Sequence, residues 1–110
     1  DILREGVSGP VAPVIVVENE EEAIKEANNS EFGLGASIWT NNIERGIYLA
    51  RQIQSGMVSV NEIVKTDPRM PFGGIKHSGT GRELYKYGIR EFVNIKSIVI
   101  KDIESKLLVE

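Results

Sequence analysis

The sequence predicts an α/β fold in which strands and helices alternate. Three observations carry that reading. Short apolar runs recur at 11–17, 33–39, 57–60 and 93–100. Two segments between the first three runs show helical spacing, each preceded by asparagine. Turn residues punctuate the boundaries, as at Ser8-Gly9-Pro10, Asn28-Asn29-Ser30 and Ser55-Gly56. Strands alternating with helices imply a layered, at least partly parallel sheet. The expected order is β-α-β-α-β, loop, α, β. A chain of 110 residues holds one domain with one modest core.

The run 11–17 is apolar on both faces, as in a strand covered by helices. Pro13 lacks an N–H and so belongs at an edge, a strand start or a bulge. Asn19 is placed to cap the next helix, with Glu22 three residues on as in a capping box. Glu20, Glu21 and Glu22 load its first turn with the charge that the helix dipole favours. They read as a solvated helix start, not a metal site. Ala23, Ile24 and Ala27 supply the apolar stripe, and Asn28-Asn29-Ser30 ends it.

The segment 33–39 alternates as a strand, with Leu34, Ala36 and Ile38 on one face. Gly33 and Gly35 within it imply close approach of another backbone. Trp39 is expected in core or interface packing. Thr40-Asn41-Asn42 offers a cap, and 42–54 reads as an amphipathic helix through Ile43, Ile47 and Ala50. Ser55-Gly56 stops it, and 57–60 is the third strand. A loop with Pro68 and Pro71 follows, then a glycine-rich stretch to Gly81. Residues 82–87 are expected as a short helix closed by Gly88, 93–100 as a last strand, and 101–110 as a charged tail.

Composition excludes several function classes. The chain has no cysteine, hence no disulfide, no thiolate metal site and no cysteine nucleophile. Its one histidine, His77, is too few for a multi-histidine zinc site. A net charge of -3 lacks the basic surplus of a nucleic-acid binder. No apolar run approaches the roughly 18 residues that span a bilayer, and no secretory signal opens the chain. A cytoplasmic location is therefore expected, without membrane or nucleic-acid partners. The first residue, Asp1, is not methionine, which reads as a fragment or an excised piece.

No complete catalytic constellation follows from the residues themselves. Gly79-Thr80-Gly81 lacks the third glycine of a dinucleotide fingerprint, where Leu84 stands. It also lacks the Lys-Ser or Lys-Thr of a phosphate loop, since Arg82-Glu83 follows. A loop that needs positive φ at several points is the plainer reading. His77 reads as a surface loop residue. The amide of Asn61 is placed to tie down a loop through backbone groups. Glu83 reads as a first-turn helix residue paired with Arg82.

The string Pro71-Phe72-Gly73-Gly74-Ile75-Lys76-His77-Ser78-Gly79-Thr80-Gly81-Arg82-Glu83 resembles the PFGG-x-K-x-SG-x-GRE signature of the NAD(P)-dependent aldehyde dehydrogenase superfamily. Gly9-Pro10-Val11-Ala12-Pro13-Val14, Ala27-Asn28, Phe32 to Thr40, Ser55-Gly56-Met57-Val58, Val60-Asn61 and Asn94-Ile95-Lys96 resemble further family elements, in the family's order and spacing. The resemblance runs over about residues 3–101 and leans toward the succinate-semialdehyde type. It implies the C-terminal part of the catalytic domain over 1–92, a bridging oligomerisation strand over 93–101 and a tail over 102–110.

Such enzymes oxidise an aldehyde to the acid by attack of a cysteine thiolate, hydride transfer to NAD(P) and hydrolysis by a glutamate-activated water. The family's nucleophile, general base and Rossmann domain all lie upstream of the part that this chain resembles. The resemblance therefore implies no catalytic residue, no metal and no bound cofactor in this chain, and inactivity alone. It makes Phe72 a substrate-tunnel aromatic, Glu83 a supporting glutamate of the same loop and Asn61 a strand-end residue that shapes the loop. The family's ribose-holding glutamate falls on Gly6, and the phenylalanine beside the nicotinamide falls on Ser8. Tyr85 replaces a usual glycine. A homo-oligomer through 93–100 is expected. The alternatives are a split-enzyme subunit that completes an upstream dehydrogenase segment, and a non-catalytic interaction module.

Overall fold

The computed structural model describes residues 8–101. Gly6 and the tail 102–110 lie outside the described residues. Helix α1 spans Glu20–Asn28. The Asn19 side chain accepts from the Glu22 N–H at 2.9 Å, and Glu22 in turn accepts from the Glu18 N–H at 2.8 Å. This is the reciprocity of a capping box, displaced by one residue at its return bond. Strands β1 (Phe32–Gly33) and β2 (Gly35–Ile38) follow. Helix α2, Ile43–Ala50, starts where Asn42 accepts from the Arg45 N–H at 2.9 Å. Glu20 of α1 and Arg45 of α2 form an ion pair, and the Arg45 guanidinium also lies 4.7 Å from the Tyr48 ring centre.

Strand β3 spans Met57–Val60 and pairs parallel with β2, from Gly35 opposite Met57 to Ile38 opposite Val60. Parallel partners require a crossover, and α2 supplies it. Gly46 lets α2 approach β3, since a Cβ there would lie 2.7 Å from Val60 Cγ1. Strand β4, Ile75–Lys76, pairs antiparallel with β1. Helix α3 is Tyr85–Arg90. The close backbone approach expected at Gly33 is present: a Cβ there would lie 2.7 Å from the Gln54 carbonyl oxygen.

The α/β class stands, with four differences of detail. First, 11–17 and 93–100 carry no ladder among the described residues. An apolar run becomes a strand only when a partner takes its N–H and C=O groups, and here none does. Second, α2 ends at Ala50, not at Gln54. The Asn28 side chain donates to Gln52 O and accepts from Gln54 N–H, which withdraws both groups from a helical ladder. Third, α3 begins after residue 82 and contains Gly88, which is buried. Fourth, Trp39 is 68% exposed, not packed in a core.

No hydrophobic residue is buried among the described residues. The buried positions are Gly33, Gly46, Gly74 and Gly88, where backbones meet most closely. Phe92 is 90% exposed and Val99 92%. The elements are joined by hydrogen bonds and glycine contacts, and the apolar residues of β2 and β3 that face α2 are only half-buried.

Candidate functional site

The glycine-rich stretch 71–83 is a closed loop. The Phe72 N–H donates to Glu83 O at 2.9 Å, and the Glu83 N–H donates to Phe72 O at 2.7 Å. Inside it, Arg82 Nη1 donates to Gly74 O at 2.8 Å and Gly81 O at 2.6 Å. Arg82 therefore holds carbonyls, not the Glu83 carboxylate that the sequence paired it with. Glu83 itself precedes α3 and does not sit in its first turn. Gly81 has φ 77, a left-handed conformation that glycine adopts without cost.

The loop is attached to the rest of the fold at its middle. Lys76 Nζ donates to Asn28 O and Ser30 O, each at 2.9 Å, at the end of α1. The cation there faces the negative end of the helix dipole. Ser78 Oγ accepts from the Gly33 N–H at 2.9 Å, and the His77 N–H donates to Glu31 O at 3.0 Å. His77 is exposed, with Nδ1 3.8 Å from Glu31 Oε2.

Phe72 and Glu83 are thus brought together through their backbones. They border a hollow of about 370 Å³ shared with Thr80, Arg82, Glu91 and Phe92. Phe72 is half-buried and Glu83 exposed. Asn61 lies elsewhere, at the end of β3. Its Oδ1 accepts from the Thr40 N–H at 2.7 Å, and its Nδ2 donates to Thr40 O at 2.8 Å. The amide ties down a backbone as expected, but that of the turn after β2 and not of the loop after β3. Ser8 is exposed and Gly6 lies outside the described residues.

A second hollow, about 390 Å³, lies beside β3 under the 61–71 loop. Sequence reasoning treated that loop as a plain connection and missed its charged pairs. Lys65 pairs with Glu62, and hydrogen bonding to that carboxylate raises the ammonium pKa. Asp67 accepts from Arg69 Nε at 3.0 Å and from Nη2 at 2.6 Å. It also accepts from the Arg69 backbone N–H at 2.9 Å. These bonds hold the Asp67 carboxyl well below the usual carboxylate range. The available signal was Asp67-Pro68-Arg69, a turn sequence whose aspartate bonds a backbone N–H two residues on.

No helix among the described residues is long and apolar enough to cross a membrane. The family described as "Aldehyde dehydrogenase family" matches residues 1–98. A probable succinate-semialdehyde dehydrogenase, NADP(+), from Synechocystis sp. is 55% identical over 97 residues, which are 88% of this chain and 21% of that protein. Retinaldehyde dehydrogenase 3 of Rattus norvegicus is 41% identical over 100 residues, 91% of this chain and 20% of that protein. Among solved structures, succinic semialdehyde dehydrogenase from Streptococcus pyogenes in complex with NADP+ superposes with a TM-score of 0.88 at 44% identity. It covers 92% of this chain, and this chain covers 22% of it. The chain thus spans about a fifth of the length of the curated relatives it matches. Identity at this level along nearly its whole length, with the superposed backbone, makes the chain a member of the aldehyde dehydrogenase family, with the α/β fold of part of its catalytic domain.

Proposed function

We propose that this chain is the C-terminal, substrate-side part of an NAD(P)-dependent aldehyde dehydrogenase of the succinate-semialdehyde type, and that the 110-residue polypeptide turns over no aldehyde by itself. The observation that carries the reading is the match itself: 88% of this chain aligns, yet only 21% of its relative, and the aligned part contains no cysteine. Without a thiolate, no covalent intermediate with the aldehyde carbon forms by the family route. The bound cofactor would accept hydride in the complete enzyme, and the chemistry of that step belongs to it.

What this chain contributes is shape. Phe72 would wall the substrate tunnel, with Glu83 supporting its backbone. Asn61 would set the neighbouring turn. The uncovered apolar residues at 93–100 would bridge to a second subunit, with 1–92 as the catalytic-domain part and 102–110 as the tail. The test grafts this chain onto the Synechocystis relative in place of the segment it matches. Isolated chain should give no NAD(P)H absorbance with succinate semialdehyde, and the graft should give turnover. Gly6→Glu with Ser8→Phe should raise the graft's kcat/KM for cofactor. Turnover by the isolated chain, or a folded graft that stays inert even with both residues restored, would overturn the proposal. The second of these outcomes would favour a non-catalytic interaction module, which the two altered cofactor-side positions already support.

A further inference from the structure

We infer that Lys76 and Ser78 are positioning residues that set where Phe72 stands, and with it how closely the substrate tunnel fits an unbranched aldehyde; the inference rests on the reading just given and deepens it. Among the described residues, every hydrogen bond from 71–83 to the chain before it leaves from 75–78. The ladder of β4 with β1 and the bond from the His77 N–H to Glu31 O use backbone groups, which any residue offers. Lys76 and Ser78 supply the side chains that make the others. Phe72 bonds only to Glu83, inside the loop, so its place follows from where 75–78 is held.

The backbone at Lys76 argues that its side chain is needed. Lys76 has φ 54, a left-handed conformation that costs an L-residue and that glycine adopts freely. The ammonium offsets that cost. It bonds Asn28 O and Ser30 O, carbonyls at the end of α1 that lack a partner within the helix.

These bonds belong to two closed circuits that meet at the neighbour of Phe72. In the first, Asn28 is the hub. Its carbonyl takes the Lys76 ammonium, while its side chain bonds Gln52 O and the Gln54 N–H. Gln54 leads to Gly56, where a Cβ would lie 1.7 Å from Gly73 O. In the second, Ser78 Oγ accepts from the Gly33 N–H at 2.9 Å, and Gly33 O accepts from the Gly56 N–H at 3.0 Å. Both routes return to Gly73, next to Phe72. The loop is thus held from two sides by parts that are themselves tied together. Neither Lys76 nor Ser78 lines the hollow that Phe72 borders, so both act through the loop and not by touching substrate. An aromatic wall fixed in one place separates a narrow aldehyde from a broad one; a wall that drifts does so poorly.

The test uses the graft onto the Synechocystis relative and two readouts. Hydrogen-exchange mass spectrometry follows the peptide that carries Phe72. The ratio of kcat/KM for succinate semialdehyde to that for benzaldehyde reports the wall. Lys76→Met keeps the stem and removes the donors. It should speed exchange of that peptide about tenfold, the scale of charge-assisted bonds at an exposed site, and lower the ratio about fivefold. Ser78→Ala should act in the same direction. Lys76→Arg, which keeps charge and donors, should recover part of both effects. Adding Asn28→Ala to Lys76→Met should change exchange by less than the product of the single effects, because both break one circuit. Arg45→Met breaks the Glu20–Arg45 pair and no bond of either circuit, and should leave the ratio within twofold. Unchanged exchange in Lys76→Met, an unchanged ratio in an active graft, or an equal loss on both aldehydes would overturn the inference. An inert graft whose Phe72 peptide loosens in Lys76→Met and recovers in Lys76→Arg would overturn the proposed activity and leave the positioning of Phe72 standing.

Discussion

Replacing Asn61 tests whether one amide joins the ends of two parallel strands. Asn61 closes β3 with φ 57, donates its own N–H to Ile38 O at 2.7 Å, and clasps both backbone groups of Thr40. Asn61→Ala removes two side-chain bonds, each worth about 1 kcal/mol net. It also puts alanine in a left-handed conformation that costs an L-residue about 1 kcal/mol or more. The sum is about 2–3 kcal/mol, an upper figure because Asn61 is exposed and water replaces part of each bond. Asn61→Gly keeps the conformational freedom and loses only the bonds, so it should cost less than alanine. Asn61→Asp keeps the acceptor for the Thr40 N–H but turns an oxygen toward Thr40 O. Amide exchange at Thr40 reads the difference directly. Loss of about 2 kcal/mol of local protection corresponds to roughly 30-fold faster exchange. Alanine should approach that figure, and aspartate should retain more protection than alanine at this amide. Exchange within twofold of wild type in both Ala and Gly variants would refute the reasoning. So would an aspartate variant exchanging as fast as the alanine one.

Tyr85 has φ 50 where the family resemblance expects glycine, and Leu84 before it has φ 62. Tyr85→Gly should raise the denaturant midpoint, with a gain of up to about 1 kcal/mol after glycine's own entropy is counted; a lower midpoint would contradict the strain. The Asp67 carboxyl is depressed by Arg69, so its stabilising contribution is present above the ordinary carboxylate value of about 4 and is lost as the pH falls through the depressed folded value. Carboxyl-carbon NMR should show Asp67 still ionised at a pH where exposed carboxylates are protonated, and Arg69→Met should return it to the ordinary range. The isolated chain should self-associate through 93–100, where Ile95 is 87% and Ile100 87% exposed. Sedimentation over a concentration series checks this: Ile98→Pro should shift the equilibrium toward monomer, and a chain monomeric throughout would remove the proposal.

What the sequence determined by itself is mostly short in range. Asn19 and Asn42 cap the helices they were expected to cap, because a capping bond spans three residues and its partners are neighbours in the chain. The alternation of strands and helices and the family signature at 71–83 were legible for the same reason; at Gly33 the residue type signalled a close approach, but not that its partner is Gln54 O. Tertiary structure alone decided which backbone each side chain would hold. Asn28 reaches Gln52 and Gln54, Lys76 reaches the end of α1, and Ser78 reaches Gly33, across 24 to 48 residues of chain. Nothing in a local window names such partners. It also decided that Asp67 holds both the backbone N–H and the guanidinium of Arg69, in a stretch that the sequence showed only as a loop. At 11–17 and 93–100 the apolar pattern of a strand is present and the ladder is not. Pattern sets which residues are able to pair, but a strand exists only where a second backbone takes its hydrogen bonds, and the described residues bring none to either segment.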